Sequence, residues 1–466
     1  MLSHVLRIFR SDLPRWLPTI VVVGLMAILI GTCLNQFVWT GSDAFVAAAA
    51  AAGLDPGEFG TVSLTLYVLV AVLSVCALTV VGSVTVEHTR TTFAQWRLIG
   101  ATPRQVRHSL WALVGLASIA GALPGSLISI GVSQAAVPLF NQMAAASFPN
   151  GSGSFAPPPF APSAAAWAGA FVVSVATCSC GALIPSWRAA RVDAVDAMRE
   201  PLPRRRRGRW IRWVVGGFMI TFAATMVVGL VAAPRTSGLG VDSAITAGLL
   251  TSIGMHVLGP ELVPVLITIT RGLLSLLPTP LGRLATRSAR ASAEANANLI
   301  APLAAAIGLG TVLIMVLQSA VAATAAAGDA VNNPNYTDTY VMTGLFGFVA
   351  GLTSVAVLTL AGRDAVREQA ILRAAGMTPR QVGHLIGWQS LILTLCACTL
   401  ALVPVIFAGL IVTVRTSLVI GTPVLVVPWV GIGLAALACW GMLWGVQTLQ
   451  FAPWLRRETA DALRRG

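Results

Sequence analysis

The sequence predicts an all-α polytopic membrane protein, with about ten transmembrane helices arranged as two parallel four-helix repeats joined by a two-helix connector. Only 10% of its 466 residues are charged, against roughly 25% in an ordinary soluble domain, and the mean hydropathy is +0.81. Apolar runs of about 20 residues recur from end to end, each long enough to cross a bilayer as a helix. A polar phrase, GATPRQVRH, returns as GMTPRQVGH, which indicates an internal duplication.

Each expected span is an apolar run flanked by polar or basic residues. The spans are 16–38, 62–86, 109–137, 163–184, 211–234, 244–270, 299–324, 340–361, 385–413 and 426–447. The basic stretch before the first span resembles a signal peptide. No small-residue cleavage site follows it and the apolar run is full length, so we expect this span to be retained.

The charge distribution predicts the orientation of the chain. The net charge is +13, and every basic residue is an arginine. If the N-terminus is cytoplasmic, all arginines except Arg235 and Arg415 fall on the cytoplasmic side, as the positive-inside rule requires. We therefore expect a multi-pass protein of the bacterial cell membrane with both termini cytoplasmic. The run PRRRRGR before the fifth span is expected to touch anionic membrane lipid, and this placement of charge argues against a nucleic-acid partner.

The duplicated phrase defines the domain organisation. Both copies lie between a span that enters the cytoplasm and a span that leaves it. Residues 1–200 are predicted to form the first four-span unit, 201–281 the two-span connector and 282–466 the second four-span unit. Because the connector has two spans, both units keep the same orientation and the repeats are parallel. The aligned pairs are Arg97 with Arg373, Gly100 with Gly376, Thr102 with Thr378, Pro103 with Pro379, Arg104 with Arg380, Gln105 with Gln381 and Val106 with Val382.

The repeated phrase predicts a helix, a sharp corner and a second helix. Glycine ends the first helix in the left-handed conformation. Threonine is the N-cap of the second helix, proline takes its first position, and glutamine three residues after the threonine closes a capping box. Orienting the chain in the membrane requires arginines on the cytoplasmic side, but it does not require a particular backbone corner. Two equal corners on the cytoplasmic face therefore favour contacts with a partner that has twofold symmetry.

Two segments of the chain resemble sequence motifs of a known protein family. The segment Arg367-Glu368 to Val382 resembles the "R-E-x-A-x-L-R-A-x-G-A-T-x-x-Q-V" motif of the FtsX-like (MacB-type, type VII) permeases of ABC transporters. The tail of the first unit is similar to the family's "A-x-R-x-x-P-V-x-A-L-R" ending. The residues that carry this second likeness are Ala190, Arg191, Ala194, Val195, Ala197, Met198 and Arg199.

The resemblance implies that both corners are coupling helices, which sit in grooves of a dimeric ATPase and transmit its movement. ATP and magnesium would bind in that partner and not in this chain. The sequence departs from the family at Thr91 and Thr92, which stand where the second unit has Arg367 and Glu368, and at Asp193-Ala194, where the family has proline. No large extracytoplasmic domain fits between the spans, although the ten-span form is similar to the bacitracin-detoxification branch.

The chain is not expected to be an enzyme, because a P-loop needs a lysine and the sequence has none. The resemblance implies a permease. Because its loops are short and no large outside domain fits, we expect it to export or extract an amphipathic or lipid-like substrate, such as an antimicrobial peptide, drug or lipid. A proton-coupled transporter remains open, because His256 and Glu261 lie in an apolar span that Gly259 and Pro260 would break or kink. A non-transporting signalling or scaffold subunit, and an accessory extracytoplasmic or sensor protein, also remain open.

Overall fold

The chain is almost entirely helical in the ranges that the structure, a computed structural model, describes, and its longest non-helical segments there are 158–163 and 421–428. The described ranges are 2–11, 13–52, 56–88, 96–98, 100–145, 158–191, 209–232, 239–274, 280–328 and 336–455. The helices are α1 (Leu2–Ser11), α2 (Leu13–Thr40), α3 (Asp43–Ala51), α4 (Pro56–His88), α5 (Pro103–Ala145), α6 (Ala164–Arg191), α7 (Arg209–Ala232), α8 (Val241–Leu274), α9 (Pro280–Ala291), α10 (Ala293–Ala326), α11 (Thr337–Ala374), α12 (Pro379–Ile420) and α13 (Trp429–Leu455).

Each expected span falls on one of these helices, and most helices extend several residues beyond it, α11 by 13 residues past the expected end at 361. In the described part of the chain, 9 helices are long and apolar enough to cross a membrane. The second expected span lies in α4, of which Val70–Val86 is the described apolar part. The prediction of an all-α polytopic membrane protein is therefore confirmed.

Two helices are much longer than a bilayer requires. Helix α5 has 43 residues and α12 has 42. At a rise of 1.5 Å per residue each is roughly 65 Å long, about twice the thickness of the hydrocarbon core. Each begins at the proline of one copy of the repeated phrase. A displacement applied at either phrase is therefore applied directly to the end of a continuous membrane-crossing helix.

The chain divides into two compact units, and the first comprises residues 1–205 with 334–342. In it, α2 packs against α4, α5 and α6. The closest approach is between α2 and α5, where a Cβ atom at Gly125 would overlap the carbonyl oxygen of Gly24, and one at Gly121 would overlap that of Ile20. Glycine here lets the two backbones touch, which favours association of membrane helices through van der Waals contact.

The second unit comprises residues 206–333 with 343–466. Its central helix is α10, which is almost wholly buried and packs against α8 and α12. Helix α7 packs against α8 and α12, so both connector spans are part of the helix packing of this unit. One core cluster shows this directly, because Ala247 of α8, Met315 of α10 and Ile411 of α12 belong to it.

The two units repeat one another in their close helix contact. Gly308 follows Pro302 in α10 at the distance at which Gly24 follows Pro18 in α2. A Cβ atom at Gly308 would lie 3.5 Å from Cα of Ala401, which occupies the position after the second phrase that Gly125 occupies after the first. Helix α2 of the first unit and α10 of the second thus cross the long helix of their own unit at equivalent positions.

A hydrogen bond to the chain before the last helix of each unit is also repeated. Asn35 of α2 accepts a bond from the Ser163 N–H at 2.9 Å. Ser319 of α10 stands at the equivalent position and accepts one from the Val426 N–H at 2.9 Å. Each bond satisfies a backbone donor that apolar surroundings would otherwise leave unpaired. The similarity of the units therefore extends to buried polar contacts.

Candidate coupling elbows

The first elbow, residues 100–106, begins at a Schellman-type helix end. Gly100 has a φ of +101°, in the left-handed region that favours glycine. Its N–H donates to the Arg97 carbonyl at 3.1 Å, and the Ala101 N–H donates to the Trp96 carbonyl at 3.0 Å. These bonds satisfy carbonyls that a helix end otherwise leaves open, so the helical turn ends sharply at the glycine.

A capping box starts the following helix. The Thr102 N–H donates to Oε1 of Gln105 at 2.9 Å, and the Gln105 N–H donates to Oγ1 of Thr102 at 3.3 Å. Pro103 is the first residue of α5, where a missing N–H costs no helix bond. Both sides of the corner are thus fixed by paired hydrogen bonds, and the predicted capped corner is confirmed in the first unit.

The second elbow, residues 376–382, has the same helix end. Gly376 has a φ of +97°. Its N–H donates to the Arg373 carbonyl at 2.9 Å, and the Met377 N–H donates to the Leu372 carbonyl at 3.1 Å. The bond pattern at the end of α11 is therefore identical to that before α5.

The capping box of the second elbow is complete as well. The Thr378 N–H donates to Oε1 of Gln381 at 2.8 Å, and the Gln381 N–H donates to Oγ1 of Thr378 at 3.4 Å. Pro379 is the first residue of α12. Two copies of one sequence phrase therefore give two copies of one backbone shape.

Exposure is divided in the same way in both elbows. Threonine, proline, arginine and glutamine are exposed, whereas Val106 is 1% exposed and Val382 is 0% exposed. The valine anchors each corner to its own unit, and the four preceding side chains face outward. Arg104 and Arg380 are therefore cations on rigid tips, which is a geometry suited to docking rather than to chemistry.

The flanks of the elbows are described less fully. Arg97 and Arg373 are half-buried at the helix ends. Arg367 and Glu368 lie within α11, but their side chains are outside the described part of the structure. Thr91 and Thr92, and the tail residues 194–199, also fall outside it. The predicted difference between the two lead-in segments therefore stays a prediction.

The intramembrane acidic residue Glu261 is paired with two arginines of α7. Its Oε2 lies 3.1 Å from Nε of Arg209, and its Oε1 lies 3.5 Å from a terminal nitrogen of Arg212. The carboxylate side chain is 5% exposed, so the pair compensates a charge that is nearly withdrawn from solvent. Sequence reasoning missed these partners. Both lie in the first turn of α7, and Glu261 lies in α8, the next helix in the chain, which packs against α7.

His256 occupies a different setting in the same helix. Its Nδ1 atom is buried and has no hydrogen-bond partner within the described residues. Helix α8 runs without interruption through Gly259 and Pro260, so the break that these residues could cause does not occur. Packing supports the continuous helix here, because a Cβ atom at Gly259 would lie 3.1 Å from that of Ala301 in α10.

Arg415 is a further charged residue whose position the sequence did not reveal. It lies near the end of α12 and is 0% exposed, although the sequence places it at an outer membrane face. One terminal guanidinium nitrogen donates to the Leu230 carbonyl at 3.3 Å, at the end of α7. Its buried side chain joins α12 to α7 within the second unit.

Comparison with known proteins adds a family assignment. A family model described as FtsX-like permease C-terminal matches residues 64–194 and 340–451, together more than half of the chain. Each matched region contains one elbow and the long helix that follows it. No curated protein matches the chain.

Proposed function

Because the chain belongs to the FtsX-like permease family, we propose that it is the membrane subunit through which a separate dimeric ATPase drives an ABC transporter. Permeases of this family generally work with an ABC ATPase. The observation that supports the proposal most strongly is the pair of matching elbows, each fixed by a Schellman end and a capping box. ATP and magnesium would bind in the ATPase, which lies on the cytoplasmic face in this proposal.

Two identical corners suit a partner with twofold symmetry. Each ATPase subunit presents the same groove, so each groove needs the same shape to fill it. The exposed threonine, proline, arginine and glutamine would enter the groove, and the buried Val106 or Val382 would transfer force to the unit behind it. When ATP closes the dimer, each elbow would move with its groove as a rigid body and displace α5 or α12.

The proposed cargo is an amphipathic or lipid-like molecule, taken from the bilayer and exported or extracted. Helices α7 and α13 leave large apolar side chains exposed along their length, among them Phe218, Val228, Leu434 and Leu437. Apolar helix faces suit contact with lipid and with substrates that arrive through lipid. A role in resistance to an antimicrobial peptide or drug follows from this cargo.

The ion pairs of Glu261 argue against the proton-coupled alternative. A proton relay needs a carboxyl group that exchanges its proton with a pathway, whereas both oxygens of this carboxylate face arginines. A structural role in joining α7 to α8 is sufficient to account for the group.

The test is to purify the tagged chain from its native host and measure the mass of the complex and its ATP hydrolysis. We expect two subunits of an ATPase per chain. The double substitution R104A/Q105A or R380A/Q381A should reduce ATP hydrolysis stimulated by the permease, about tenfold or more when the two are combined. The second pair should have the larger effect, because its lead-in keeps the family's Arg367 and Glu368.

Arg283→Ala is the matched control. Arg283 is exposed on α9, and the positive-inside rule assigns α9 to the same face as the elbows. Arg283 is not part of an elbow. This variant should keep both the ATPase and its stimulation. A combined elbow variant that inserts normally and retains full ATPase stoichiometry and stimulation would contradict the proposal.

A further inference from the structure

A pocket of about 440 Å³ opens in the first unit, directly behind the first elbow. Its walls come from the start of α5 and the end of α6. The lining residues are Arg107, His108, Trp111, Leu183, Ser186 and Trp187. A cation, an imidazole and two indoles therefore line one small concave space.

Hydrogen bonds hold most of the polar wall in place. Nε1 of Trp111 donates to the Ser179 carbonyl at 3.2 Å and so fixes the indole across to α6. The Ser186 hydroxyl donates to the Leu183 carbonyl at 2.8 Å, and Nδ1 of His108 lies 2.7 Å from the Arg104 carbonyl. Arg107 remains as the charged group of the wall, and within the described residues no carboxylate is paired with it.

The sequence predicts that the pocket lies in the headgroup layer of a membrane, because the third expected span begins at residue 109. Arg107 precedes that apolar run, and Trp111 lies in its first turn. Tryptophan prefers this interfacial layer, because its ring is apolar and its N–H is polar. Arginine binds phosphate through several parallel N–H bonds and remains charged at any physiological pH. The pocket therefore combines a phosphate ligand with interfacial rings.

The second unit fills the corresponding place with its own side chains. Gly383 and Gly387 stand where the first unit has Arg107 and Trp111. Trp440 of α13 donates from Nε1 to the Gly387 carbonyl at 3.2 Å, and it stacks on Trp444 with ring centroids 5.8 Å apart. Nε1 of Trp444 lies 3.8 Å from where a Cβ atom at Gly387 would be. Among the described residues, indoles occupy this position, and glycine stands at the position equivalent to Arg107.

We propose that the pocket binds the headgroup of one anionic phospholipid, with its phosphate on Arg107 and its glycerol region against Trp111 and Trp187. The effect of the lipid on coupling rests on the function proposed above, whereas its binding to the pocket does not. A bound headgroup would lie one turn from Arg104, the exposed cation of the first elbow. The lipid would thus stabilise the position of the first elbow alone. Coupling to the ATPase through the first elbow, but not through the second, would then depend on anionic lipid.

The test is native mass spectrometry of the purified full-length chain titrated with dioleoyl phosphatidylglycerol or dioleoyl phosphatidylcholine. We expect one phosphatidylglycerol to bind more tightly than any phosphatidylcholine, and R107Q to weaken this binding roughly tenfold. W187A, which keeps the charge, should weaken it several-fold, whereas R107K should retain most of it. R290Q is the charge-matched control, since Arg290 is exposed on α9 and does not line the pocket.

Several results would overturn the inference. Equal losses in R107Q and R290Q would mean general electrostatic attraction, and full binding by W187A would mean that the pocket is not the site. Displacement of the lipid by low-millimolar inorganic phosphate would make free phosphate the occupant. If R107Q does not yield monodisperse protein, R107M, which also removes the charge, carries the same comparison with R290Q. No ATPase is present in the titration, so its outcome is independent of the ATPase test.

Discussion

Replacing Gly376 by alanine tests whether the second elbow depends on its left-handed residue. The φ of +97° is unfavourable for alanine, and a left-handed L-residue costs roughly 1–2 kcal/mol. No atom lies within 4 Å of the position that the new Cβ would take, so the cost is conformational and not a clash. A penalty of this size increases the population of the opened corner by about 5- to 30-fold.

Hydrogen exchange at the Met377 amide measures this opening directly. That N–H is bonded to the Leu372 carbonyl at 3.1 Å and exchanges only when the corner opens. Exchange of a peptide containing Met377 should therefore accelerate by about 5- to 30-fold in G376A, after correction for intrinsic rates. G376N should show a smaller increase, because asparagine tolerates the left-handed region.

Gly383→Ala is the matched control for this prediction. Gly383 lies in the second turn of α12, and a Cβ atom there would also meet nothing within 4 Å. In a right-handed helix alanine is favoured over glycine by about 1 kcal/mol, so exchange should be unchanged or slower. Equal exchange rates in G376A and G383A would refute the claim that the positive φ holds the corner.

Two further predictions concern packing and charge within the units. G125A should lower the stability of the first unit by about 1–3 kcal/mol or more in thermal unfolding in detergent, because its Cβ would overlap the Gly24 carbonyl oxygen. The control G131A should have little effect in the same assay, because nothing lies within 4 Å of its Cβ position. R209A/R212A should destabilise the chain by about 2 kcal/mol and by more than E261Q, because the double variant removes both arginines from a buried charge, whereas E261Q removes the charge itself. The exposure of Arg209 reduces the cost below that of a fully buried pair, and an equal or larger shift in E261Q would contradict this.

The elbows could be predicted from the sequence because their structure is decided locally. A Schellman end and a capping box involve residues within about six positions of one another, and each position has a strong chemical preference. Gly100 and Gly376 have no close neighbours that could override that preference. The spans were predictable for a similar reason, since a bilayer imposes one length and one polarity on every helix that crosses it.

Helix packing was not predictable in this way. The sequence predicts α7 and α8 as a connector because neither carries the repeated phrase, but it does not show that α8 packs against α10 and α12, or that α7 packs against α8 and α12. Uniformly apolar helices show no periodic face that identifies a neighbour, so the partner of each has to be found in space. The partners of Glu261 were missed because they lie on a different helix.

The two elbows have the same backbone shape but different surroundings, so a symmetric partner would not meet the same resistance at both. The Schellman end and capping box agree in every hydrogen bond, so selection has a reason to keep the shape wherever both must enter equal grooves. One turn further on, Arg107 and Trp111 stand against Gly383 and Gly387. The first corner therefore borders an open charged pocket, whereas the second borders stacked indoles. If an ATPase dimer moves both corners equally, the resistance that it meets differs on the two sides. The first unit would then respond to the lipid beside it, and the second only to its own packing.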